Sequence, residues 1–298
     1  MKNLMTLTVG ALLFFIGVTD ADAALMSFVG ATDGSWHELS NWTSDGSPAT
    51  QEPTSSDTVQ LNGKTVHITE TAALGVWSGG GYVDIDNGGH LTGHGNYSLR
   101  YISGIRVNNG GVLQMPNYYI RTNVTINEGG EAYGTYGIGA NDSRTLTVDG
   151  TFSPRGTTTP GATSFFVGSA RWGRVHMGST GTILLDTYGD GDNEFFAVNG
   201  MTTSTQLTLD TGSVELRLQD GYTPDLGDVF TIWTLADESE AVMALGDGSN
   251  ISMPGLGSGL SLDTSQFETT GAVTVVPEPA TLGLFLAAVL AFLRCRRV

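Results

Sequence analysis

One short pattern recurs along this chain and restricts its fold more than any other feature of the sequence. An apolar residue is followed by Asp or Asn, one further residue, a pair of glycines, a variable residue and a second apolar residue. Close copies occupy residues 85–91, 107–113 and 126–132, and looser copies begin at Val148, Met177 and Leu209. The glycine pairs of the close copies lie 22 and 19 residues apart, and later copies lie near 31 apart. A period of about twenty residues with short strands is typical of a solenoid.

The chemistry of the pattern predicts how successive copies stack. The apolar residues pack inward, Asp or Asn begins a corner, and glycine takes the positive φ that a sharp bend requires. Stacked copies then lie ~4.8 Å apart, and Asn side chains at equivalent corners can form ladders. We therefore predict an all-β fold: a single-chain parallel β-helix with β caps, followed by a C-terminal hydrophobic helix. An antiparallel β-sandwich built on Asn-Gly and Asp-Gly turns is the alternative.

Changes in composition around the repeats predict five segments. They are a signal peptide at 1–23, an N-terminal β cap region at 24–75, β-solenoid repeats at 76–218, a C-terminal β region or cap at 219–275, and a sorting tail with a transmembrane helix at 276–298.

The N-terminus has the features of a cleavable leader. Lys2 precedes an apolar run from Leu4 to Val18, and the small residues Ala21 and Ala23 fit the rule for signal-peptide cleavage. We predict cleavage after Ala23, with a retained first transmembrane helix as the alternative. The leader implies export of everything that follows it.

Charge and cysteine content limit the function of the exported region. The formal net charge of −17 should repel nucleic acid, so no nucleic-acid partner is expected. The single cysteine, Cys295, lies in the tail, which rules out an intrachain disulfide. Stability must then come from backbone ladders and packed apolar residues.

The tail has three parts in a fixed order. Pro277-Glu278-Pro279 is followed by an uncharged run from Ala280 to Leu293 and by the basic residues Arg294, Arg296 and Arg297. As a helix the run would rise about 21 Å, against ~30 Å of bilayer hydrocarbon. The arginines would stay on the cytoplasmic side by the positive-inside rule, and the prolines favour an extended, exposed segment outside the membrane. We expect transient insertion in the inner membrane, with a buried core helix as the alternative.

This order of Pro-Glu-Pro, apolar run and arginine cluster resembles the PEP-CTERM sorting signal of Gram-negative bacteria. The resemblance implies processing by an exosortase, an inner-membrane-anchored intermediate, removal of the tail, and delivery to the cell surface or the extracellular space. It also implies association with the exopolysaccharide or biofilm layer. The opening of the exported region, with Trp36 and Asn41-Trp42, more loosely resembles secreted autotransporter-like repeat proteins.

The densest acidic group, residues 186–194, is the strongest candidate for a metal site. Asp186, Asp190 and Asp192 flank glycines and present the hard oxygen ligands that Ca²⁺ prefers. The EF-hand template fails, because its third and twelfth positions would be Tyr188 and Ala197. We interpret the group as a solvated turn, with calcium as the alternative. His90 and His94 are four residues apart, but in a turn and strand this spacing does not build a zinc face.

No catalytic motif stands out. The sequence has neither a Gly-x-Ser-x-Gly elbow nor a Gly-rich phosphate loop, so we predict a non-enzymatic surface or matrix protein without a cofactor. A β-helix polysaccharide lyase or hydrolase, with Arg171 or Arg174 beside the acidic loop, is the enzymatic alternative. A carbohydrate-binding protein is the third. Its stacking residues would be Trp36, Trp42 or Trp172, although we favour Trp36 and Trp42 as a plug for the open end of the domain.

Overall fold

The structure is a computed structural model that describes residues 24–54, 57–62, 64–73, 76–78, 80–92, 102–138, 144–154, 164–167, 173–199, 205–236 and 240–278. These residues form an all-β protein with short strands, one 3₁₀ turn at Leu39–Asn41 and one helical turn, α1, at Phe267–Thr270. The prediction of an all-β fold is therefore confirmed.

The strands are numbered in chain order. They are β1 Leu25–Phe28, β2 Gly34–Ser35, β3 Trp42–Ser44, β4 Ser47–Pro48, β5 Thr58–Gln60, β6 Thr65–Ile68, β7 Thr71–Ala73, β8 Val76–Ser78, β9 Tyr82–Ile85, β10 His90–Thr92, β11 Gly104–Val107, β12 Val112–Ile120, β13 Asn123–Ile126, β14 Glu131–Ile138, β15 Arg144–Val148, β16 Thr151–Ser153, β17 Ser164–Val167, β18 Gly173–Met177, β19 Thr182–Gly189, β20 Asp192–Asn193, β21 Phe195–Val198, β22 Gln206–Thr208, β23 Ser213–Leu218, β24 Val229–Thr231, β25 Trp233–Leu235, β26 Val242–Ala244, β27 Ile251–Ser252, β28 Leu260–Asp263 and β29 Ala272–Pro277.

The strand that leads into each repeated turn belongs to one parallel sheet, here called the first column. Its order is β2-β6-β9-β11-β13-β15-β18-β22-β26, and every neighbouring pair is parallel. Equivalent residues of successive repeats pair directly, as Val83 does with Ile105 and Ile105 with Val124. These residues are buried because alternate side chains of a strand face one side of the sheet.

The strands after each turn form a second sheet that divides into two columns. The second column runs β7-β10-β12-β14-β16-β19-β23-β27, and the third joins the far ends of β12 and β14 to β17, β21 and β25. The division lies in β14, which pairs with β16 through residues 131–133 and with β17 through residues 137–138. All of these pairings are parallel, at odds with the antiparallel sandwich that the sequence left as an alternative.

The two glycines of the repeated turn have different structural causes. In the turn between β11 and β12, Gly111 N–H donates to Asn108 C=O at 2.8 Å, and Gly110 has φ +74°. That φ strains any residue with a Cβ. A Cβ on Gly111 would lie 2.2 Å from the carbonyl oxygen of Ile85 in the preceding repeat. The first glycine therefore allows the bend, and the second allows the repeats to approach each other.

Polar side chains at the start of the turns form a hydrogen-bonded line, here called the corner ladder: His67, Asp86, Asn108 and Asn127. His67 Nδ1 lies 2.6 Å from Asp86 Oδ2. Asn108 Nδ2 donates to Asp86 Oδ1 at 2.7 Å, and Asn127 Nδ2 donates to Asn108 Oδ1 at 2.7 Å. The predicted ladder of corner side chains is therefore present in the close copies of the repeat.

The start of the corner ladder is electrostatically biased. Burial lowers the pKa of His67, but the hydrogen bond to Asp86 and the negative charges of Asp86, Asp84 and Asp33 outweigh burial and raise this pKa above its ordinary value. The imidazole is therefore held toward its charged form at this end of the ladder.

Apolar residues between the columns form one continuous core. Its aromatic part is a row of fully buried rings, in which Phe165 meets Phe152 at 5.3 Å and Phe196 at 5.7 Å, both edge to face. Full burial of such a side chain stabilises the fold by roughly 1.5–3 kcal/mol, before the smaller gain from ring contacts.

Both ends of the stack are covered by other structure. At the N-terminal end, Trp36 and Trp42 are buried with their rings 4.9 Å apart, beside the mixed sheet β4-β3-β1-β5-β8. At the C-terminal end an antiparallel sheet, β24-β29-β28, packs with α1 through the buried Phe267 and Val273. Covering the ends removes strand edges that would otherwise pair with other chains.

The signal peptide and the hydrophobic run of the tail lie outside the described residues. Within the described ranges, which end at 278, no helix has the length and apolar character to cross a membrane.

Candidate functional site

The outward face of the second column contains a cavity of about 280 Å³, here called the second-column groove. Its lining comes from five neighbouring strands, β12, β14, β16, β19 and β23. The lining residues are Gln114, Glu131, Ala132, Tyr133, Thr151, Ser153, Leu184 and Arg217.

Strand alternation directs the polar side chains into the groove. Leu113, Ala132 and Phe152 face the core, so the residues beside them face outward. Gln114 pairs with Tyr133, and Tyr133 with Ser153, which places three polar side chains in one row across three strands.

Arg217 closes one side of the groove and is held in place by a buried carboxylate. Its Nη2 lies 2.6 Å from Asp186 Oδ1, its Nε donates to the same oxygen at 2.8 Å, and its Nη2 donates to Ser153 Oγ at 3.2 Å. The side chain of Asp186 is 2% exposed and also accepts a hydrogen bond from Gln219 at 2.8 Å. The guanidinium is therefore oriented before any ligand arrives.

Tyr133 is the aromatic residue of the groove. Burial, and then the negative charge of Glu131 on the same strand, raise the pKa of the Tyr133 phenol above its ordinary value. The phenol remains protonated at physiological pH and can donate as well as accept a hydrogen bond.

The acidic group at 186–194 is a hairpin in which the candidate calcium ligands are separated. Asp186 is buried on β19 and bonded to Arg217, whereas Asp190 lies at the exposed turn and accepts a hydrogen bond from Val229 N–H at 2.9 Å. Asp192 begins the returning strand β20. Among the described residues, no three His, Cys, Asp or Glu side chains are grouped to hold a metal ion.

The other residues singled out from the sequence are dispersed. Trp36 is 0% and Trp42 1% exposed, so their alternative role in stacking on sugars is wrong, because neither ring reaches the surface. Arg174 lies on β18 in the first column, away from the acidic hairpin. His90 lies on β10. His94, Arg171 and Trp172 lie outside the described residues.

Arg217 is the arginine that meets the acidic hairpin, and the sequence prediction missed it. A signal for it was present in the repeat spacing. Thr182 pairs with Ser213, a separation of 31 residues, and the same offset from Asp186 gives Arg217.

The start of the sorting tail is part of the folded domain. Pro277 is the last residue of β29 and pairs with Leu260 on β28, and Glu278 is exposed while its N–H donates to Gly259 C=O at 2.9 Å. The extended conformation predicted for the segment is therefore present at Pro277. The remaining named residues of the two termini, Ala21, Ala23, Pro279, Arg294, Arg296 and Arg297, lie outside the described residues.

Comparison with known families agrees with this part of the sequence. Residues 275–297 match the PEP-CTERM protein-sorting motif. The motif indicates an exported protein that an exosortase sorts to the cell surface, and the predicted sorting signal is confirmed. No curated protein and no solved structure matches the chain.

Proposed function

We propose that this chain is a non-enzymatic surface or matrix protein, which an exosortase releases from its C-terminal tail. The observation that carries the proposal is the sorting motif at residues 275–297, with Pro-Glu-Pro, apolar run and arginines in order. In this proposal the signal peptide starts export, and the run from Ala280 to Leu293 then holds the chain in the inner membrane while Pro277-Glu278-Pro279 is presented for processing.

The proposed architecture of the exported body is a parallel β-helix with covered ends. Its support is the pairing of every first-column strand in parallel with its neighbours, together with the two further parallel columns that follow the turns. The close approach of Gly111 to the preceding repeat and the corner ladder both support repeated stacking. Such a body gives a matrix protein a long, rigid surface without requiring disulfides.

The proposed setting is the exopolysaccharide or biofilm layer, which is what the resemblance to PEP-CTERM proteins implies. An acidic, cysteine-free domain suits that setting because its net charge keeps it soluble outside the cell.

The enzymatic alternative draws its support from the second-column groove. A glycosidase requires two carboxyl groups about 5–9.5 Å apart on either side of the scissile bond. The described lining supplies Glu131, whereas the nearby carboxylate of Asp186 is buried and bonded to Arg217. This arrangement favours binding over hydrolysis.

Mass spectrometry of the C-terminus of the surface-exposed protein tests the proposal. In a host that contains an exosortase, the mature form should lack Arg294 to Val298. An intact C-terminus ending in Arg296-Arg297-Val298 on the surface form would overturn the proposed sorting.

Two exposed glutamates provide a matched pair of variants. Glu278→Ala changes the sorting motif, and Glu268→Ala changes an exposed acidic residue of α1 in the same C-terminal region. We expect the first to leave unprocessed protein in the membrane fraction and the second to be processed normally. Equal processing of both variants would contradict recognition of the Pro-Glu-Pro segment.

A further inference from the structure

We propose that the second-column groove is a binding site for a neutral hexose unit of a polysaccharide. This inference names a ligand for the exported protein and rests on the proposed function only for the place where the ligand is met. The proposed role is binding, with no bond made or broken.

The size and lining of the groove fit a sugar ring. A volume of about 280 Å³ lies at the lower end of the range for small-molecule sites. Tyr133 offers an aromatic ring with a polar tip, and Leu184 offers an apolar contact on the neighbouring side. A pyranose has the matching character, with apolar C–H faces and a polar edge.

The polar groups around this apolar surface match the hydroxyl groups of a sugar. Gln114 supplies amide donors and an acceptor, and Thr151 and Ser153 supply hydroxyls that donate or accept. Arg217 supplies only donors and Glu131 only acceptors. Such a mixture suits a ligand whose every hydroxyl both donates and accepts.

Preorganisation favours binding at this site. Asp186 and Gln219 fix the position of the Arg217 guanidinium, and Ser153 already accepts a hydrogen bond from it. A ligand therefore pays little entropy to order this long side chain. The buried carboxylate also explains why an arginine on β23 reaches across β19 to β16.

Charge selects a neutral sugar over a uronate. The positive charge of Arg217 is balanced by Asp186, and Glu131 adds an exposed negative charge at the rim. The whole chain has a formal net charge of −17, which further opposes the approach of a polyanion.

Saturation-transfer NMR and calorimetry on the full chain test the site. The protein is purified in lauryldimethylamine oxide, a detergent without a sugar headgroup, and titrated with maltohexaose, cellohexaose and xylohexaose. Trigalacturonate serves as the anionic comparison. We expect at least one of the two hexose oligomers to bind with a Kd of about 1 mM or tighter, and trigalacturonate to bind more weakly. Absence of binding by both hexose oligomers, or preferred binding of xylohexaose or trigalacturonate, overturns the proposal.

Variants locate the binding. Tyr133→Ala should weaken binding about tenfold, the effect of losing ~1.4 kcal/mol of contact. Tyr82→Ala removes an exposed tyrosine of the first column and should leave the affinity unchanged. Unchanged affinity in Tyr133→Ala, or an equal loss in both variants, places the ligand elsewhere and refutes the site.

Two further variants keep the test valid if Tyr133→Ala does not fold. Gln114→Ala removes an outward side chain, and Asp186→Asn with Arg217→Gln replaces the ion pair by a neutral hydrogen-bonded pair. Both should weaken binding while circular dichroism stays unchanged, and retained affinity in both would refute the groove. Binding by purified protein does not depend on an exosortase, so this result is separate from that of C-terminal mass spectrometry.

Discussion

Replacing Asn108 by Ala removes the central member of the corner ladder and should destabilise the fold measurably. The change deletes a charge-assisted hydrogen bond to Asp86 and a neutral hydrogen bond from Asn127, both 2.7 Å long. Such bonds contribute about 1.5–3 and 0.5–1.5 kcal/mol respectively. Asn108 is only half-buried, so water replaces part of the loss, and the lower limits apply. We expect a loss of about 2 kcal/mol in the free energy of unfolding.

Urea denaturation followed by circular dichroism measures this loss, and Asn109→Ala is the matched control. Asn109 is exposed in the same turn and makes no side-chain hydrogen bond to the described part of the chain. Its replacement should change stability by less than about 0.5 kcal/mol. Equal effects of the two substitutions, with the same denaturant slope, would refute a stabilising role for the ladder.

Asn108→Asp sharpens the same test. The substitution places a second carboxylate against Asp86, and like charges at hydrogen-bond distance disfavour double ionisation. The variant should be less stable than Asn108→Ala at pH 7 and should recover relative to it near pH 4, where one carboxyl binds a proton. A stability difference that does not depend on pH would show that the two side chains are not in contact.

Three further outcomes follow from contacts described above. The raised pKa of His67 means that its stabilisation is fully present below about pH 6.5, the unfolded value, and is lost as pH rises through the folded pKa; His67→Gln should therefore lower the urea midpoint more at pH 5.5 than at pH 8.5, and an equal loss at both would contradict this. Gly111→Ala, whose Cβ would meet the carbonyl oxygen of Ile85, should cost about 1–3 kcal/mol of unfolding free energy, more than Gly221→Ala, where the Cβ has open space; the reverse order would be inconsistent with close stacking. Phe165→Ala in the buried aromatic row should cost about 3–5 kcal/mol and lower the melting temperature by several degrees, so a change below about 1 kcal/mol would contradict the described core.

The repeating parts of the fold were accessible from the sequence because their cause is local. Each bend depends on a glycine such as Gly110 that takes a positive φ, and each ladder member, such as Asn108, directly precedes such a bend. Both signals are visible within seven residues of chain. The closer spacing of repeats at Gly111 was not predicted, because it depends on a carbonyl group some 26 residues earlier.

The groove was not predicted because its residues come together only through the register of the longer repeats. Tyr133 and Arg217 are far apart in sequence, and residues between their strands vary in number from one repeat to the next. Asp186 was identified, but as a calcium ligand, because sequence composition does not distinguish a buried carboxylate from an exposed one. Burial and the 31-residue offset to Arg217 decide its role.

The position of Pro277 determines how the domain responds to mechanical load. Its strand, β29, lies between β24 and β28, with three residue pairs on one side and four on the other. A pull on the chain beyond Pro277 acts along this strand, perpendicular to its hydrogen bonds, which are therefore loaded together in shear rather than opened one after another. Tension on the membrane tail is thus borne by the central strand of a sheet, and the stacked repeats behind it are shielded from the force.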